Sequence, residues 1–171
     1  MNMQQGNDFL DRRPLRNQDL VTARRYFLQA CDILKSVNPS DSTAFVEVYY
    51  GLTNVELDMS FKTGLSLEEM ELHLRTAEEY GDMAFEKARL SPYADNLAKI
   101  KFEQALLKAR RVLIEAGKGS NTGEINRLGD KVQRAISGSL QELRDANCST
   151  YQMFLDLAED WQELLDGLNS G

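Results

Sequence analysis

Cysteine is scarce in this chain of 171 residues, present only as Cys31 and Cys148. The two lie far apart and in no metal-ligand spacing. That excludes a disulfide scaffold or a cysteine-based zinc module, and it fits a reducing compartment with Cys31 as a small core thiol. Histidine occurs once, at His73. A triad or a histidine general base would have to use it, yet its helical neighbours are Glu69, Met70 and Ala77 rather than a nucleophile. A Glu69/His73 pair lacks the Glu-x-x-His spacing of di-iron bundles, because Met70 stands where the glutamate should be. No apolar run approaches the ~20 residues of a membrane span. Residues 1–16 carry Asp8, Asp11, Arg12 and Arg13 around Phe9-Leu10, with no apolar core for a signal peptide. The expectation is a soluble intracellular protein, cytoplasmic first, with the nucleus also open.

Net positive charge is missing too. At −7 with a pI near 4.8 the chain is repelled by phosphate backbones and anionic lipid, so neither nucleic acid nor a membrane is an expected partner. Gly117-Lys118-Gly119-Ser120 has a superficial likeness to a phosphate loop, but it follows a helix and Val112 replaces the first motif glycine. It reads as a linker. A chain of this length buries roughly 70% of its unfolded surface without metal or disulfide staples, so no cofactor is expected.

What is present is helix-forming sequence. Residues 1–16 read as an N-terminal tail ended by Pro14. A first helix over about 17–37 sets Leu20, Ala23, Phe27, Ala30, Cys31 and Leu34 against an outward row of Arg24, Arg25, Asp32 and Lys35, and Asn38-Pro39 stops it. A second, capped by Ser40, Ser42 or Thr43, reaches about Lys62 through Phe45, Val48, Tyr49, Leu52, Val55, Leu57, Met59 and Phe61, and Thr63-Gly64 closes it. Ser66-x-x-Glu69 is a capping box opening a third, whose seam Leu67, Met70, Leu74, Ala77, Gly81, Ala84 and Ala88 turns small in its second half. A fourth helix runs from Pro92, capped by Ser91, to a left-handed stop at Gly117. Its two rows, Ile100/Leu107/Ile114 and Phe102/Leu106/Leu113, imply neighbours on more than one side. After the 117–123 linker, Asn121-x-x-Glu124 starts a fifth helix weakened by Gly129 and Gly138. Asn147-Cys148-Ser149 reads as a loop, and Ser149-x-x-Gln152 caps a sixth, acidic outside.

Six amphipathic helices on short turns imply an all-α fold of three antiparallel hairpins, as an α-solenoid-like array or a bundle. The domain expectation is a single helical domain over 17–168, four helices (17–116) separated by the 117–123 linker from two (124–168). Ala23-x3-Phe27-x2-Ala30 resembles the second-helix signature of a tetratricopeptide repeat, and Ala77, Gly81 and Ala84 repeat the spacing with the aromatic shifted to Tyr80. Pro39 and Pro92 arrive late, the helices are long, and no 34-residue period is present. The resemblance implies a helical-hairpin array without carrying over that family's peptide-binding residues.

For function, Lys101, Lys108 and Arg111 share one side of the fourth helix and form a local positive strip in an acidic chain. The strip either pairs with carboxylates of adjacent helices or receives an acidic peptide. Tyr49 and Tyr50 differ by about 100° around their helix, so one of them faces a second interface or a groove, and Tyr50 joins the partner-binding set. The expectation is a non-enzymatic adaptor or scaffold that binds a protein or peptide in an interhelical groove. The alternatives are a homodimerising structural domain, or an enzyme or small-ligand binder with an interhelical pocket near His73.

Overall fold

The computed structural model describes residues 17–168; the 1–16 tail lies outside the described residues. Within them the protein is all-helical, with helices α1 (Asn17–Val37), α2 (Ser42–Met59), α3 (Leu67–Ala88), α4 (Ala94–Gly117), α5 (Thr122–Asp145) and α6 (Tyr151–Asp166) and no strand. None of these helices is long and apolar enough to cross a membrane.

Contacts divide the chain between Tyr93 and Ala94 into two compact units, α1–α3 and α4–α6. The glycine-rich 117–123 segment, marked as a division by composition, lies inside the second unit and joins α4 to α5, which pack closely. In the first unit α2 packs on both α1 and α3. That explains why every residue from Gly51 to Leu57 is buried, Thr53, Asn54 and Glu56 included. A helix flanked on two sides has little face left for water. The row Leu20, Ala23, Phe27, Ala30 and Cys31 covers one side. Phe27 lies directly over Gly51, so closely that an added Cβ would stand 2.2 Å from its Cζ and 2.3 Å from its Cε1. From α3 the seam Leu74, Ala77, Gly81, Ala84 and Ala88 is buried, and its small residues admit the most extensive helix pairing in the molecule, that of α2 with α3.

In the second unit α4 packs on α5 and α6, and α6 on α5. Both expected α4 rows are buried apart from half-buried Leu113. Phe102 meets Phe154 of α6 edge to face at 5.2 Å between centroids. Val132, Ile136 and Leu143 of α5 and Trp161 and Leu165 of α6 complete this core.

Helix ends follow local chemistry, with corrections. The Ser66–Glu69 capping box forms in both directions at 3.1 Å, and Asn121 Oδ1 accepts from the Glu124 N–H at 3.0 Å. For α2 the cap is Asp41, not Ser40, Ser42 or Thr43: its Oδ1 accepts from the Ala44 N–H at 3.0 Å, and a carboxylate also complements the helix dipole. Helix α4 begins at Ala94, two residues after Pro92, because Ser91 Oγ accepts from the Tyr93 N–H and holds a turn there. It runs through Gly117, and the left-handed stop falls at Gly119 (φ 79°). There the Ser120 N–H reaches the Glu115 carbonyl and the Gly119 N–H the Ala116 carbonyl, satisfying the last carbonyls as a Schellman turn. Asn147 (φ 55°) closes α5 the same way. That turn displaces the expected Ser149 cap: α6 starts after Thr150, which makes no side-chain capping bond, and Gln152 donates to Asp156 instead.

Candidate functional site

Two features of the described residues carry side-chain chemistry: a polar cluster inside the first unit, and charged and apolar rows on the outer faces of the helices.

The cluster centres on Glu56 of α2, only 3% exposed. A buried carboxylate needs donors on both oxygens, and it has them. Arg24 Nη2 of α1 donates to Oε1 at 2.7 Å and to Oε2 at 2.6 Å. His73 Nδ1 of α3 lies 3.0 Å from Oε1. An ionised carboxylate only accepts, so the Nδ1 of His73 is the protonated nitrogen in this contact. Glu69 is turned elsewhere, into the Ser66 capping box. Beside the cluster Tyr49 stacks on Tyr80, 6.3 Å between centroids, and Cys31 Sγ approaches Tyr49 Oη at 4.0 Å. Burial, reinforced by Cys31 and Tyr80, pushes the Tyr49 phenol up to about 12. Burial and then the Glu56 charge raise Tyr80. With both carboxylate oxygens occupied, the arrangement ties three helices together. Among the described residues, no group of three or more His, Cys, Asp or Glu is placed to hold a metal ion.

Of the three, only His73 stands out in the sequence, as its single histidine. By periodicity Arg24 belongs to the outward row of α1, yet its long side chain, 37% exposed, reaches inward to Glu56. The one signal available for Glu56 was a lone acid within Leu52-Thr53-Asn54-Val55-Glu56-Leu57.

The positive strip lies on α4. Lys101 is half-exposed and pairs with Glu142 of α5 at 3.4 Å; Lys108 is exposed and Arg111 half-buried. Lys99 pairs instead with Asp95 one turn earlier at 3.5 Å. Arg110 is buried, and that burial lowers its pKa. Tyr50 is half-buried on α2 in the first unit, so the four residues proposed together from sequence are split between the two units. Outside the cores, large apolar side chains recur in register: Val21 and Leu28 on α1, Leu72 and Met83 on α3, Met153 and Leu164 on α6. Spacings of seven and eleven residues bring each pair to one face of its helix. Set against known proteins, the chain matches no family, no curated protein and no solved structure.

Proposed function

We propose that this protein is a non-enzymatic helical interaction module, an adaptor or scaffold whose helix faces bind a protein or peptide partner. The observation that carries the reading is the second, solvent-facing apolar row on α1, α3 and α6. Isolated exposed leucines are ordinary, but pairs aligned on one helix face at 41–57% exposure make surfaces that another helix can cover. A helical-hairpin array of the kind the tetratricopeptide-like spacing implies is part of this proposal; in it α1, with Ala23, Phe27 and Ala30 buried, packs on α2.

Lys101, Lys108 and Arg111 form a separate cationic strip on α4. The Lys101–Glu142 pair is half-exposed and long, so exchanging it for a partner carboxylate costs little. The test is titration with a dye-labelled amphipathic peptide bearing a leucine face edged by glutamates. Lys101→Glu/Lys108→Glu is expected to weaken binding about tenfold. Unchanged affinity removes the strip, and no saturable binding by the intact chain to any amphipathic peptide removes the module reading.

A further inference from the structure

Helix α6 presents more apolar surface than its own unit covers. Phe154, Ala158, Trp161 and Leu165 form its buried row. A second row, Met153, Leu157 and Leu164, runs beside it, with Met153 41% and Leu164 45% exposed and Leu157 half-buried. At 100° per residue this row lies on the flank between the core and the acidic face. Asp160 falls in line with it, between Leu157 and Leu164, and Asp156 and Glu163 run along its outer edge. All three carboxylates are exposed. The helix carries five acids, Asp156, Glu159, Asp160, Glu163 and Asp166, and no Lys or Arg. Among the described residues no cation pairs with any of them; Asp156 and Asp166 accept only from Gln152 and Gln162 of the same helix, each at 2.8 Å.

We infer that this flank of α6 is a docking surface for a basic amphipathic helix, whose apolar row covers Met153, Leu157 and Leu164 while its Lys or Arg side chains meet Asp160, Asp156 and Glu163. Three occupants compete for an apolar row, and charge decides among them. An anionic lipid surface is repelled by five carboxylates. A second copy paired through α6 would set Asp160 close to the same carboxylate of its mate, and like charges placed opposite each other disfavour that pairing. A helix with cations at the edge of its apolar face satisfies both halves of the surface at once. This proposal rests on the interaction-module reading and names a partner chemistry within it.

The probe is a dye-labelled amphipathic peptide with leucines at i, i+4, i+7 and i+11 edged by lysines, titrated against the full chain by fluorescence anisotropy. A scrambled peptide of the same composition reports unspecific charge attraction. Saturable binding is expected, weakened about tenfold by Asp160→Lys/Glu163→Lys and by Leu164→Ser. The exposed control Asp130→Lys/Asp145→Lys on α5, outside every apolar row named above and with the same charge change, is expected to leave it intact, as is Lys101→Glu/Lys108→Glu. Circular dichroism shows whether each variant stays folded, and two independent α6 variants guard against loss of one. The proposal is overturned if the scrambled peptide binds equally, if the α5 control weakens binding as much as the α6 variants, or if a concentration-dependent dimer disappears in Leu164→Ser. Binding of the glutamate-edged peptide without the lysine-edged one would sink this inference and leave the module reading standing; binding of neither removes both.

Discussion

At the scale of single residues, the strongest constraints gather around α2. The ring of Phe27 occupies the space where a side chain at Gly51 would begin, so Gly51→Ala is expected to destabilise by about 2 kcal/mol or more through overpacking, read as a lower urea midpoint. The Glu56 cluster yields an asymmetric outcome. Removing Arg24 leaves a carboxylate that is 3% exposed with only His73, so Arg24→Met should cost about 3 kcal/mol. Glu56→Gln leaves a guanidinium that is 37% exposed and can rehydrate, so it should cost about half as much. Equal losses in chemical denaturation would contradict this account. Alkaline behaviour follows from Tyr49. Its phenol holds the proton from the ordinary 10.0 up to about 12 in the folded chain, so between those values the native state binds more protons than the unfolded one. Stability is therefore complete below pH 10 and falls as pH rises through that window, and Tyr49→Phe should flatten the fall, measured by denaturation against pH.

At the scale of the helix, ends and interiors obey rules that act within a few residues. The Ser66 and Asn121 caps were legible because capping is a local bargain between a side chain and nearby backbone donors. Ser66→Ala should cost about 1 kcal/mol of stability. Gly138 lies exposed in the interior of α5, and a Cβ there would meet nothing within 4 Å, so Gly138→Ala should stabilise by about 1 kcal/mol, seen as a higher melting temperature. The misplaced ends have a common cause. Gly117 and Ser149 carried the right residue types, but Gly119 and Asn147 took the left-handed positions that close Schellman turns, and composition does not rank neighbouring candidates for such a position.

At the scale of the whole molecule, the break between Tyr93 and Ala94 leaves each set of three helices with its own core, one around Phe27, Leu52 and Leu74 and one around Phe102, Phe154 and Leu143. Residues 17–93 and 94–168 produced as separate chains are each expected to give a helical far-ultraviolet spectrum and a cooperative melt. A fragment that stays unfolded would show that its core is incomplete alone. The amino-acid sequence by itself determined that the described chain is six helices, roughly where each begins and ends, and which rows turn inward, because helix hydrogen bonds and the 3.6-residue period are set within one or two turns. Only the tertiary structure decided that Glu56 is held by Arg24 from 32 residues before it and His73 from 17 after it, that Lys101 meets Glu142, and that the chain divides at residue 93 rather than at its glycine-rich turn. Those outcomes depend on which faces of separate helices meet. Periodicity shows that a face is apolar; it does not show which other face will cover it.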